Sequence, residues 1–216
     1  MKLYGFWRSL ATYRVKVALA LKGMKVDEVS IDLLKGMQHQ PDYKAVNPQA
    51  VVPSLILDEG GTPLFQSVAI MEYLEETRPQ PAILPKDPRG RARVRGLALI
   101  AAADGHPLVT PRIRNYLEKT LQLPEDKRNA WLMHWTLEAL KAIEGHLEEK
   151  ETGKFCHGDS PTMADICLCG QVIGATAYFK ADVSSVPVAM RIYEECMKID
   201  AFSRAHPMKQ PGAQAH

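Results

Sequence analysis

The proline-dense stretch between residues 78 and 88 constrains the fold of this chain more than any other feature. Pro79, Pro81, Pro85 and Pro88 all fall within it. Each proline removes an amide donor and fixes φ near about −65°, so neither a helix interior nor a strand ladder runs through such a stretch. The chain is expected to divide there, with residues 1–78 forming one domain, 79–88 a linker and 89–216 a second domain. The grammar on the two sides differs. Before the prolines, Lys2 to Phe6 reads as a strand and Thr12 to Lys22 as a helix, stopped by Gly23 in a C-cap role. Val26 to Leu33 returns to strand character, and a polar loop follows. Val51-Val52-Pro53 leads into a strand at Ser54 to Leu57, and Asp58-Glu59-Gly60-Gly61 is a turn signal before Pro63-Leu64-Phe65. A helix from Ser67 to Thr77 carries the apolar stripe Val68, Ile70, Met71 and Leu74. A βαβ unit, a hairpin and a helix predict a mixed sheet covered by helices.

After the prolines, residues 89–120, 125–151, 163–179 and 186–199 show helical spacing with no strand alternation. The third of these opens with Thr162 and Asp165 in a capping-box arrangement, with Asp where Glu or Gln is usual. Gln210 to His216 reads as a loose tail. The fold class is thus an α/β domain followed by an all-α domain. With 216 residues, 46% of them hydrophobic, the chain can bury the cores this needs.

Composition excludes several functions. The 27 basic and 25 acidic side chains nearly balance, which argues against a protein that coats nucleic acid. No run of about 18 uncharged apolar residues exists to span a membrane. The N-terminal MKLYGFWRSLATYRV is interrupted by Arg8 and Arg14 and lacks a signal core, so a cytoplasmic address is the default. The four cysteines, Cys156, Cys167, Cys169 and Cys196, match no common zinc pattern. Buried thiols are expected there, and no metal.

Chemistry can sit at three places in the first domain, each with a plain structural reading beside it. Ser9 or Thr12, between the first strand and first helix, can simply cap that helix; alternatively, a serine at a helix N-terminus can donate a hydrogen bond to a thiolate. Val52-Pro53 is either an ordinary edge-strand start or something more. Gln66-Ser67, directly before an apolar helix, is a cap or a carboxylate site. In the second domain His106 stands beside Pro107, where a cap or a satisfied polar group is the plain reading. Arg112 and Arg114, two residues apart on a helix, point about 200° from each other, so one of them is expected to face a site. Arg89, Arg91, Arg93 and Arg95 spread around a helix and read as solvated charges.

Taken together and in this order, these stretches resemble the glutathione transferase superfamily. The resemblance is nearest to its zeta class, which includes maleylacetoacetate and maleylpyruvate isomerases. It is carried by Trp7-Arg8-Ser9, Tyr13 to Gly23, Asn47-Pro48, Val52-Pro53, the long run from Gln66 to Pro79, and Gly158-Asp159 with Thr162 to Asp165. It implies a thioredoxin-like N-terminal domain and an all-helical C-terminal domain. It also implies glutathione as cofactor, a homodimer, and a small-molecule substrate. Ser9 would hydrogen-bond the glutathione sulfur, and Pro53 would be cis, with the Val52 main chain pairing with the cysteinyl unit. Gln66 and Ser67 would hold the γ-glutamyl end, Gln38 the glycyl end, and His106 a further glutathione contact. Arg8, at the same mouth as Ser9, would act with Arg112 or Arg114 on a dianionic substrate. The implied reaction is thiolate addition to a cis double bond conjugated with a ketone, rotation, and elimination. Two departures stand out. The family's Ser-Ser-Cys is Ser9-Leu10-Ala11 here, which leaves Ser9 to act with backbone amides. Tyr178 replaces an arginine, offering a substrate carboxylate one neutral hydrogen bond. A general glutathione transferase, peroxidase or haloacid dehalogenase is the alternative activity, and a non-catalytic binding module with this fold is a third reading.

Overall fold

The first strand, β1 (Lys2–Gly5), buries Leu3 while Lys2 faces solvent, and it sits inside the sheet. In this structure, a computed structural model that describes residues 1–215, β1 pairs in parallel with β2 (Asp27–Ser30). It pairs antiparallel with β3 (Ser54–Ile56), which pairs antiparallel with β4 (Leu64–Phe65). The order is β2-β1-β3-β4, the mixed sheet expected from the sequence. The parallel pair is joined by α1 (Leu10–Leu21), whose Val15, Val17, Ala18 and Leu19 are buried. Gly23 follows at φ +65°, a left-handed position that glycine takes without a Cβ clash. The stretch read as a polar loop contains a short helix, α2 (Pro41–Val46), started by Pro41 in the first turn and anchored by buried Tyr43. The last helix of this part, α3 (Ser67–Thr77), packs Ile70, Met71 and Leu74 into the core.

A buried ion pair ties these helices together. Lys22 Nζ lies 2.8 Å from Glu75 Oε2 and donates to the carbonyls of Arg78 (2.7 Å) and Pro81 (2.9 Å). Glu75 in turn accepts the Ile83 N–H at 3.0 Å. Breaking such a pair costs about 3–5 kcal/mol, because it strands a charge in the interior. The network draws residues 78–83 onto the first unit, which therefore runs from Met1 to Ile83. The expected 79–88 linker is not a separate segment: it is split between two units at Ile83 and Leu84.

The second unit spans Leu84–Ile199 and is helical. Asp87 caps α4 (Pro88–Leu99) by accepting the Gly90 N–H at 2.7 Å. There follow α5 (Pro111–Asn115), α6 (Glu125–Leu147), α7 (Met163–Ile173) and α8 (Pro187–Met197). Every residue of α7 is buried, so it is the axis around which the others pack. Its start is the predicted capping box. Asp165 accepts the Thr162 N–H and Oγ1–H, both at 2.7 Å, and also the Cys156 N–H at 2.8 Å. Burial pushes the Asp165 carboxyl above its ordinary pKa, and the hydrogen bonds from Cys156 and Thr162 pull it back. All four cysteines are buried and none is in a disulfide; burial pushes the Cys156 and Cys169 thiols well up.

Two readings change in this unit. The helices expected to be continuous over 89–120 and 163–179 are interrupted by π-helical turns at Ile100–Gly105, Tyr116–Thr120 and Gly174–Tyr178, the first followed by a 3-10 turn at His106–Val109. The first break ends at a close approach between helices. A Cβ on Gly105 would lie 2.5 Å from Ala139 Cβ of α6 and 3.0 Å from the Gln171 amide of α7. Only glycine permits that approach. Arg93 is the second change, for it is no solvated charge. It pairs with Glu149 at 2.7 Å and donates to the carbonyls of Cys156 (2.6 Å) and His146 (2.9 Å) and to Thr152 Oγ1 (2.9 Å), clamping the loop between α6 and α7.

The chain then returns to the first unit. From Asp200 onward the residues pack with Met1–Ile83, not with the helical unit in which they were expected. Ala201, Phe202 and Ala205 of α9 (Asp200–Ala205) are buried, and α9 packs on α1. Gln210, expected to be loose, accepts from Lys16 Nζ and donates to the Arg204 carbonyl at 2.8 Å. Short 3-10 turns at Pro207–Lys209 and Pro211–Ala215 replace the predicted loose tail; His216 lies outside the described residues. His206 Nδ1 caps the first of these turns by accepting the Met208 N–H at 3.2 Å, which requires the neutral ring. Burial, with Lys209 adding to it, lowers the His206 pKa from 6.5. A depressed folded-state pKa means that this contribution to stability is present above the unfolded value and is lost as pH falls through the folded one. Protection of the amides in residues 206–210, taken relative to the intrinsic exchange rate at the same pH, is expected to fall on acidification below about pH 6.5, and His206→Asn, which keeps an acceptor that does not titrate, should remove the effect. Exchange with the same pH profile in both proteins would contradict it.

Candidate active site

Strand register gathers the predicted glutathione contacts at one end of the sheet. Gly5, at the end of β1, aligns with Ser30 at the end of parallel β2. Tyr4 aligns with Ser54, the first residue of β3, and Ser54 aligns with Phe65, the last of β4. The chain leaves β1 toward Arg8 and Ser9, and leaves β2 toward Gln38. It enters β3 from Val52-Pro53 and leaves β4 toward Gln66-Ser67. All seven therefore lie on connections at the same sheet end. Beneath them Phe6, Ile31, Tyr43 and Val52 form one buried apolar cluster with Trp7 and Leu33 against it.

Ser9 is the N-cap of α1. Its Oγ accepts the Thr12 N–H at 3.2 Å, while Thr12 Oγ1 accepts the Phe6 N–H at 3.3 Å and closes the turn from the other side. The cap reading of Ser9 is therefore met. It does not compete with the chemical reading, because capping uses an oxygen lone pair and leaves the hydroxyl proton to donate. At the second helix start Gln66 has φ +65°, a conformation that costs a non-glycine residue about 1–3 kcal/mol and clusters at functional sites. It leaves Ser67 buried at the first position of α3, beside first-turn N–H groups that have no partner within the helix. Gln66 Nε2 donates to Gln49 Oε1 at 2.9 Å, so its own Oε1 is turned away as an acceptor. The Val52–Pro53 peptide is cis, as the resemblance implied. Gln38 is half-buried; its Nε2 donates to the Leu33 carbonyl at 3.5 Å, and its buried Oε1 meets no hydrogen-bond donor.

Three residues that the sequence reading did not select belong to this end. They are Gln49, which orients Gln66, and the pair Tyr43 and Asn47, which holds the loop before Pro53. Asn47-Pro48 was visible as a motif, but its acceptor, a main-chain carbonyl four residues on, was not. The remaining candidates lie in the helical unit, each near a break in a helix. His106 opens the 3-10 turn after the first π turn. Arg112 and Arg114 are in α5, with Arg112 exposed and Arg114 half-buried. Tyr178 ends the third π turn. Helix breaks of this kind recur at functional sites. Among the described residues no group of three His, Cys, Asp or Glu side chains is arranged to hold a metal ion, and no helix is long and apolar enough to cross a membrane.

A thioredoxin-like sheet with a cis proline before its third strand, followed by a helical unit, is the architecture of a glutathione transferase. Residues 1–76 match the family model described as glutathione S-transferase, N-terminal domain. The maleylacetoacetate isomerase of Rhizobium meliloti (strain 1021) is 42% identical over 95% of this chain and 95% of its own length. A maleylacetoacetate isomerase from Methylobacterium extorquens AM1, solved with malonate and glutathione bound, is 46% identical, covers 99% of both chains and superposes with a TM-score of 0.95. A maleylpyruvate isomerase described as a bacterial zeta-class glutathione S-transferase is 42% identical over 98% of this chain and 99% of its own, with a TM-score of 0.92. The chain belongs to the zeta class of the glutathione transferase superfamily.

Proposed function

We propose that this protein is a glutathione-dependent cis–trans isomerase acting on maleylacetoacetate, maleylpyruvate or a closely related cis-enedioic keto acid. The observation that carries the reading is the convergence of Ser9, Val52-Pro53, Gln66-Ser67 and Gln38 at one sheet end, on a chain whose near relatives bear these names. The residues fit glutathione. The buried Val52 offers an N–H that no described residue accepts, a donor for a peptide-like ligand. Ser67 and the first amides of α3 suit a carboxylate, as helix starts do. When bound, glutathione supplies a thiol whose anion is the nucleophile.

The chain's own residues prepare that chemistry. Ser9 donates a hydrogen bond from its hydroxyl to the sulfur and so favours the thiolate, aided by the N-terminal end of α1. Gln66 Oε1 accepts from the γ-glutamyl ammonium while Ser67 holds the carboxylate beside it. Gln38 serves the glycyl end and His106 a further glutathione contact. A dianionic substrate calls for arginine forks; Arg8 supplies one, and half-buried Arg114 fits the task better than exposed Arg112. Tyr178 gives a neutral hydrogen bond where relatives are expected to carry a charge. A homodimer and a cytoplasmic role in the breakdown of aromatic compounds belong to the same proposal.

The deciding measurement is isomerisation of maleylacetoacetate and maleylpyruvate, followed by absorbance with and without glutathione. Turnover that requires glutathione is expected. Binding of glutathione with no turnover of either acid would overturn the isomerase and move the function to another electrophile for the same thiolate.

A further inference from the structure

We infer that Tyr43 and Asn47 are positioning residues for glutathione, aiming the Val52 N–H at its cysteinyl unit. The inference rests on the glutathione reading above and adds residues that it does not use. Val51 O accepts two hydrogen bonds, from Tyr43 Oη at 2.6 Å and Asn47 Nδ2 at 2.9 Å. Both side chains also meet Ser54 Oγ, each at 3.2 Å, so the clamp spans Val52 and Pro53 and grips the first residue of β3. Asn47 and Ser54 are 2% and 0% exposed, and the Tyr43 ring belongs to the apolar cluster below the loop. The bonds to Ser54 Oγ are buried and those to Val51 O partly so, which makes the network costly to lose.

Its effect on Val52 follows from peptide geometry. The Val51 C=O and the Val52 N–H belong to one planar trans peptide, in which the two groups point in opposite directions. Holding the carbonyl toward Tyr43 and Asn47 on two bonds sets the rotation of that plane and fixes the N–H outward, away from α2. Among the described residues nothing accepts from this N–H, so it is left as a donor for a ligand on the open face of the peptide. The peptide is thus clamped on one face and open on the other. A ligand whose peptide carbonyl pairs with Val52 meets a donor that needs no reorientation, which lowers the ordering cost of binding. Asn47 secures its own geometry, since its Oδ1 accepts the Gln49 N–H at 3.0 Å, and the same loop carries the Gln49 side chain that orients Gln66.

Tyr43→Phe removes the hydroxyl and keeps the ring; Asn47→Ala tests the other half of the clamp. In the full-length protein, titration calorimetry of Tyr43→Phe is expected to show glutathione bound about five- to tenfold more weakly, the effect of about one hydrogen bond. KM for glutathione should rise in step, with kcat at saturating glutathione within twofold of wild type. The second ligand is γ-glutamylcysteamine, which keeps the thiol and the γ-glutamyl group but has no cysteinyl carbonyl. Its affinity should be nearly the same for wild type and both variants. Equal weakening of both ligands would show a general loosening and overturn the inference, as would unchanged glutathione affinity in a variant that folds. Wild-type protein that binds glutathione while failing to isomerise either acid leaves the calorimetric test intact; wild-type protein that does not bind glutathione overturns both readings.

Discussion

Replacing Ser9 with alanine should lower glutathione-dependent turnover about 10²–10³-fold, the usual loss when a donor to a developing anion is removed. Because Ser9 also caps α1 through its bond to the Thr12 N–H, the same substitution should cost about 1 kcal/mol of stability. The two roles separate in a second variant. Ser9→Asp keeps an acceptor for Thr12, and aspartate caps helices as well as serine does, so unfolding should occur near the wild-type midpoint. Its carboxylate has no proton to give a thiolate and repels the negative sulfur, so activity should fall at least as far as in the alanine variant. Thermal denaturation and turnover, measured on all three proteins, decide the matter. An aspartate variant that recovers both stability and turnover would reduce Ser9 to a cap.

Asp165→Ala is expected to produce the largest loss of stability. The carboxylate is wholly buried and accepts from two main-chain N–H groups and one hydroxyl. Without it, all three donors stay buried with no acceptor, at about 1–3 kcal/mol each. A total loss of about 4 kcal/mol or more consumes much of the stability of about 5–15 kcal/mol typical of a folded protein. Poor soluble yield and a lowered urea midpoint are the expected readings. Asp165→Asn, which keeps the volume and one acceptor oxygen, should fall between alanine and wild type. A midpoint unchanged in the alanine variant would show that the start of α7 is held by packing alone.

Asp165 also shows what the sequence made legible. Its partner Thr162 is three residues away, so the capping box is a local pattern and can be read without knowing the fold. The same holds for the strands, the start of α3 and the end of α1, each marked by its own residues. The positions proposed for glutathione were reached through motif order, because Ser9, Val52-Pro53 and Gln66-Ser67 follow one another at fixed places in the βαβ unit and hairpin. What escaped depended on distant partners. Arg93 was read from the spacing of its own helix, yet its partners lie at residues 146–157. The π turn ends at Gly105, where α6 and α7 come so close that no Cβ fits, an approach that helical periodicity does not register. Lys22 gave no sign that it would be buried, since its carboxylate is Glu75 and two of its acceptors are carbonyls of the proline stretch. The chain passes from one unit to the other inside the proline stretch, at Ile83 and Leu84, and that lysine holds the first part of the stretch on the first unit.

The packing of α9 on α1 has a consequence for synthesis on the ribosome. The first unit is discontinuous, with the helical unit inserted between Ile83 and Asp200. Strands, α1 and α3 leave the exit tunnel early, but the surface of α1 that receives Ala201, Phe202 and Ala205 stays bare until the entire insert has been translated. The helical unit, contiguous in sequence, can complete its packing while the thioredoxin-like unit still waits for α9, which reverses the order in which the two begin to emerge.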